Sequence, residues 1–142
     1  MAILFYVQDI EYKLSGKIEL KDLIKKIINL HNKKTGEINI ILTCDEKLLD
    51  LNKKYLNRDY YTDIITFDYS EKERISGDLY VSIERIKENA KEYKVNEEDE
   101  LKRVIIHGIL HLLGYKDEKE KDKYKMRKKE NELLKKINKK EE

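Results

Sequence analysis

The sequence has no proline, no tryptophan and a single cysteine, Cys44, and its 142 residues include only five glycines and three histidines. One thiol can neither close an internal disulfide nor form a Cys-x-x-Cys metal or redox motif, which is the cysteine usage of a reducing compartment. Cys44 itself reads as a buried small hydrophobe. Long apolar runs are also missing. No stretch approaches the ~20 residues that cross a bilayer, and the opening Met1-Ala2-Ile3-Leu4-Phe5-Tyr6 lacks the basic region and cleavage site of a secretion signal. A cytoplasmic protein with no membrane partner is expected. Charge of one sign is lacking too: 31 Lys+Arg against 29 Asp+Glu leave a net +2, which argues against polyanion recognition through a broadly basic surface.

Charge of both signs is abundant, at 42% of residues, yet the 39% hydrophobic share holds enough Ile and Leu to fill a core, so disorder throughout is excluded. The Lys, Glu and Ile richness is a skew that either AT-rich coding or a hot habitat produces. The length suits one domain, 1–142, with one site. Charge is unevenly placed within it. Residues 116–142 carry 12 basic and 8 acidic side chains, a net +4, and leave the first 115 residues at −2. Met126, Leu133, Leu134 and Ile137 keep helical spacing, so this charged C-terminal segment reads as a surface helix with one apolar stripe in preference to a basic binding arm.

Along the chain, Ala2–Val7, Glu37–Thr43, Thr62–Tyr69 and Leu79–Ser82 have strand character, with Glu71–Arg74 as a charged connection leading through Gly77-Asp78. Leu20, Leu23, Ile24, Ile27, Ile28 and His31 recur at helical spacing over about Leu20–Asn32, ended by Lys33-Lys34-Thr35-Gly36. Asp45 is a plausible N-cap for a helix bearing Leu48, Leu49 and Tyr55, and another helix covers roughly Ile83–Tyr93. The next helix is capped by Asn96, has Glu97, Glu98 and Asp99 in its first turn, buries Leu101, Val104, Ile105, Gly108 and Leu112, and stops at Gly114.

Two of the three histidines sit on that helix. His107 and His111 are four apart, so their rings leave one face a turn apart, where both can reach one ion. Gly114 lets the chain turn back and bring Asp117 to the same point. Two nitrogens and one carboxylate oxygen suit a catalytic zinc with an open fourth position, and such an ion activates water and polarises an oxygen of the scissile bond. His31 has no such company and reads as a C-terminal-turn histidine on its helix dipole. The peptidase motif His-Glu-x-x-His needs a glutamate where this chain has Gly108, so that mechanism lacks its proton acceptor.

At this point Ile106-His107-Gly108-Ile109-Leu110-His111-Leu112-Leu113-Gly114-Tyr115-Lys116-Asp117 resembles the H-G-x-L-H-L-x-G-Y-D-H signature of the YbeY family of bacterial metal-dependent endoribonucleases. Leu51-Asn52-Lys53-Lys54-Tyr55, Thr62-Asp63-Ile64-Ile65-Thr66-Phe67 and Gly77-Asp78-Leu79 resemble, in the same order, that family's L-N-x-x-Y-R, T-D-V-L-S-F and G-D-I segments. The resemblance implies an α+β fold in which a mixed sheet of about four strands packs with helices around a central, zincin-like metal-binding helix, in agreement with the interleaved strands and helices read above. It implies a zinc-dependent, single-strand-specific endoribonuclease, with one zinc per chain on His107, His111 and Asp117. Its partners would be ribosomal RNA of the small subunit and ribosome-associated proteins, and its roles late-stage 70S ribosome quality control and maturation of the 3′ end of 16S ribosomal RNA.

Two positions depart from the family pattern. The usual third histidine ligand is Asp117, and the arginine thought to hold substrate phosphate aligns with Leu56, with Arg58 two residues on as a substitute. Asp63 and Asp78 are candidates for supporting the ligands or simply for starting strands, and the metal cleft is expected beside both segments. Two other readings stand beside the nuclease: a zincin-type metallopeptidase or other metal-dependent hydrolase, and a non-catalytic ribosome-binding protein with a structural metal.

Overall fold

The computed structural model describes residues 2–115, 125 and 127–135. Its elements run β1 (Ala2–Val7), α1 (Lys17–Leu30), β2 (Lys34–Thr43), α2 (Asp45–Tyr55), β3 (Ile64–Asp68), β4 (Arg74–Ser82), α3 (Ile83–Tyr93) and α4 (Glu97–Leu112), and the backbone is helical again over 127–135. The sheet order is β1-β2-β4-β3; β1, β2 and β4 are parallel, and β3 runs antiparallel to β4 at the edge. The α+β class and the four-stranded mixed sheet are as expected.

Strand periodicity sorts the apolar residues between two faces. Ile3, Ile38, Ile40, Leu42, Ile75, Leu79 and Val81 turn to one face and join the helices in the main core. Ile65, with Phe67 and Tyr80 packed alongside, meets Leu48 and Leu51 of α2 in a smaller cluster. Helix α4 lies at the centre of the main core. Beyond the expected stripe it buries Ile106, Ile109 and Leu110, because the sheet covers one side and α1 and α3 cover others. A fully buried isoleucine such as Ile105 contributes on the order of 1.5–3 kcal/mol. Leu133 of the C-terminal segment is buried in the same core and Leu134 packs against it, while Met126 and Ile137 lie outside the described residues.

Several boundaries differ from expectation for reasons of pairing. Lys34 and Thr35 belong to β2, since Arg74 and Ile75 pair with them, and a register shift between Thr35 and Ile38 absorbs Gly36. Arg74, Gly77 and Asp78 are correspondingly inside β4 and not in a connection. The N-cap of α2 is Cys44, which is only half-buried; Asp45 is the first helical residue. The Asp45 carboxylate accepts from Ser82 Oγ at 2.6 Å and from Arg85 Nη2 at 3.0 Å, joining α2 to the start of α3. Asn96 caps α4 as expected, accepting from the Asp99 backbone N–H at 2.8 Å.

Candidate functional site

The C-terminal end of α4 sets the site. Tyr115 N–H donates to Leu110 O and Gly114 N–H to His111 O, both at 3.0 Å, with Gly114 at φ +101°: a Schellman turn, which needs a residue without a Cβ penalty. Tyr115 is then tied to α1, its hydroxyl 2.9 Å from His31 Nε2, while His31 Nδ1 donates to Ile27 O at 2.8 Å. His31 therefore does bond a carbonyl in its own helix's last turn, and it also fastens the turn that follows α4.

His107 and His111 project side by side from the last turns of α4. Their Nε2 atoms are 3.1 Å apart and their ring centroids 4.7 Å apart, with the ring planes 73° apart. His107 Nδ1 lies 2.9 Å from Glu130 Oε2, and the Glu130 side chain is 7% exposed. A carboxylate only accepts, so Nδ1 carries the proton, and in the neutral ring Nε2 is then the lone-pair nitrogen that faces His111. At 3.1 Å two facing lone pairs would repel, so a proton on His111 Nε2 or a shared cation stands between the nitrogens. Nitrogens about 2.0–2.1 Å from a tetrahedral zinc would be roughly 3.3 Å apart, so the pair fits the first two positions of such an ion. Among the described residues no third His, Cys, Asp or Glu completes the group, and Asp117 lies outside them.

The pair opens on a cleft of about 650 Å³ whose walls include Arg58, Tyr60, Thr62 and Asp63. Arg58 is held there by Asn52, which is buried. The Asn52 carbonyl accepts from Leu56 N–H at 3.1 Å and Arg58 N–H at 3.0 Å, and its side-chain Nδ2 donates to Tyr60 O at 2.9 Å. The loop thus folds back over the end of α2, with Asn57 at φ 52°, and both Leu56 and Arg58 line the cleft despite their offset in sequence. Asp63 precedes β3, and burial is the main cause that raises its carboxyl pKa above the usual range, against the lowering effect of His107. Asn89 Nδ2 donates to Asp63 Oδ2 at 3.2 Å and to Glu100 Oε2 at 3.4 Å, linking the cleft wall to a second buried carboxyl whose pKa burial also raises.

Asp78 is not brought to this cleft. It alternates with Leu79 along β4, and its Oδ1 accepts from Asn39 Nδ2 at 3.0 Å, so the cleft follows Thr62–Thr66 alone and not Gly77-Asp78. Glu130, Asn52, Asn89 and Glu100 were not singled out from the sequence. Glu130 had one signal, its place three residues before Leu133 on the tail's apolar stripe.

An α+β domain with a convergent His-x-x-x-His pair at the end of its central helix, opening on a cleft with an arginine in its wall, defines a histidine-bearing cleft protein. Residues 7–138 match the family model described as Endoribonuclease YbeY, and the chain belongs to that family. It is 47% identical over 127 residues to the Endoribonuclease YbeY of Flavobacterium psychrophilum, covering 89% of this chain and 91% of the relative. Its identity to the protein of the same name from Bacteroides thetaiotaomicron is 42% over 134 residues, covering 94% and 98%. Among solved structures it resembles the solution structure of TM1509 from Thermotoga maritima, with a TM-score of 0.67 at 28% identity, covering 96% of this chain and 89% of that one. No helix among the described residues is long and apolar enough to cross a membrane.

Proposed function

We propose that this chain is a zinc-dependent endoribonuclease that cleaves single-stranded RNA, with ribosomal RNA of the small subunit as substrate. The single observation that carries the reading is the convergence of His107 Nε2 and His111 Nε2 to 3.1 Å at a cleft that also holds Arg58. His107, His111 and Asp117 would hold the ion, which when bound polarises a phosphoryl oxygen and eases deprotonation of water. Arg58 supplies a planar, permanently charged fork for the phosphate adjoining the scissile bond. The Asp63 carboxyl, at the cleft wall, can take or give a proton at its oxygens. Half-exposed Tyr60 offers a ring on which an unpaired base can stack, which favours single strands over duplex.

The family name of the relatives supports RNA as the substrate. The finer roles proposed here are late-stage 70S ribosome quality control and maturation of the 3′ end of 16S ribosomal RNA, with ribosome-associated proteins as partners. The peptidase alternative is disfavoured by position 108. A Cβ there would stand 2.7 Å from Ile64 Cδ1 and from Leu79 Cδ2, so a glutamate would enter the sheet-facing core and not the cleft.

The test compares purified wild type and His111→Ala for bound zinc by elemental analysis and for cleavage of single-stranded and duplex RNA. Wild type is expected to hold one zinc per chain and to cut the single strand, and His111→Ala to lose both. Equal metal content and equal cleavage in the two would overturn the reading, and tight RNA binding without turnover would favour a non-catalytic binder.

A further inference from the structure

Glu130 is the one residue of the C-terminal helical segment 127–135 that the described structure places against a proposed metal ligand. It is 5% exposed, in a segment whose neighbours at 127–129 are partly or fully exposed, and its Oε2 is 2.9 Å from His107 Nδ1. Three residues on, Leu133 is 3% exposed and belongs to the main core. At that spacing the two side chains leave the same face of the helix, so the apolar contact of Leu133 and the polar contact of Glu130 are made in one docking event. A buried carboxylate is costly unless it is paired and hydrogen-bonded, and His107 Nδ1–H is the partner that the described structure gives Glu130.

We propose that Glu130 is a positioning residue for His107: its carboxylate fixes the proton on Nδ1, turns Nε2 towards His111, and so makes the docking of segment 127–135 part of the metal centre. The proposal rests on the metal reading of the histidine pair given above. A ring with one nitrogen held by a carboxylate has its tautomer and orientation set and is a more basic donor at the other nitrogen. Because metal binding and helix docking share His107, each favours the other by the same factor. The ligands on α4 are then only part of the centre; Glu130, 23 residues downstream of His107, supports it without touching the ion.

The experiment uses the full chain as wild type, Glu130→Gln and Glu130→Leu. Glutamine keeps an acceptor for Nδ1–H and loses the charge; leucine keeps the volume and loses both. Zinc affinity is read by competition with a chromogenic chelator, and the ligand field by the visible spectrum of the cobalt-loaded protein. The tautomer of His107 is read in the metal-free state by long-range nitrogen–proton NMR. Zinc affinity is expected to fall about tenfold in Glu130→Gln and up to about 100-fold in Glu130→Leu, with an altered cobalt spectrum. Metal-free wild type should show His107 as the Nδ1–H form, and Glu130→Leu a mixture. Zinc should slow backbone hydrogen exchange across 127–135 in wild type.

Zinc affinity in Glu130→Leu within twofold of wild type would overturn the proposal, as would a loss that merely follows a lowered melting temperature of the metal-free protein. Unchanged exchange across 127–135 on adding zinc would overturn the coupling to helix docking. A wild type that binds no zinc, yet shows the Nδ1–H tautomer abolished by Glu130→Leu, would sink the metal reading and leave the positioning of His107 standing.

Discussion

Glu130 Oε2 and His107 Nδ1 meet at 2.9 Å between a C-terminal segment and the central helix, and the contact decides which nitrogen of His107 faces His111. The two histidines are alike in sequence context but not in surroundings, since the described structure puts a buried carboxylate behind His107.

That asymmetry predicts different stabilities for the two alanine variants. Both should fail to retain zinc. His107→Ala additionally leaves the Glu130 carboxylate buried without the ring, which costs about 1–3 kcal/mol. Urea denaturation of the metal-free proteins should therefore give His107→Ala the lower midpoint, and equal midpoints would contradict the assignment.

Gly108 lies where α4 comes nearest to β3 and β4. An added methyl would meet Ile64 Cδ1 and Leu79 Cδ2 at 2.7 Å, both of them ends of side chains that can shift. Overpacking of about 1–3 kcal/mol is set against a gain of roughly 1 kcal/mol in helix propensity, so Gly108→Ala should be destabilised by about 1 kcal/mol. Gly108→Glu buries a carboxylate at the same place and should fold poorly and show no peptidase activity, as circular dichroism melts and a casein assay would register.

Arg58 should act on RNA binding through phosphate. Arg58→Ala is expected to weaken binding to a single-stranded oligonucleotide and to reduce the slope of log affinity against log salt by about 0.7. Asn52→Ala removes the side-chain bond to Tyr60 O but keeps the backbone carbonyl that accepts from Leu56 and Arg58, so it should lower cleavage less than Arg58→Ala while leaving zinc content unchanged. A salt slope identical to wild type in Arg58→Ala would remove arginine from the phosphate contact.

Glu100 and its bridge to Asp63 give the fold a pH signature. Burial is the largest cause raising the Glu100 pKa, and nearby Asp63 and Glu130 add to it against Asn89 and Arg103. A carboxyl whose folded pKa is raised contributes stability at pH below its unfolded value, about 4.3, and loses it as pH climbs through the higher folded value. Glu100→Gln keeps an acceptor for Asn89 and cannot ionise, so its melting temperature relative to wild type should increase from pH 4 to pH 7.5. A difference that is flat or reversed over that interval would show that Glu100 is not held in this way.

Much of the site's skeleton is local and therefore legible in the chain. The Asn96 cap, the four-residue spacing of His107 and His111 and the glycine stop at Gly114 are properties of one helix, set by its periodicity and by the φ that only Gly114 adopts without cost. The same holds for Ala2–Val7 and Ile83–Tyr93, whose boundaries match the pattern of their own residues. The extension of β2 back to Lys34 was not legible, because it depends on Arg74 and Ile75 forty residues away.

The sequence by itself determined that two scarce histidines share a helix face, that one cysteine closes no internal disulfide, and that charge is split between a −2 body and a +4 tail. Only the tertiary structure decided which polar residues serve that face. Glu130 comes to His107 across 23 positions, Arg58 enters the cleft because Asn52 folds its loop back, and Asp78 turns to Asn39 on another part of the sheet. Periodicity records which side of an element is apolar, whereas a polar residue is buried only where a partner from elsewhere satisfies it, and that partner is fixed by packing and not by neighbours in the chain.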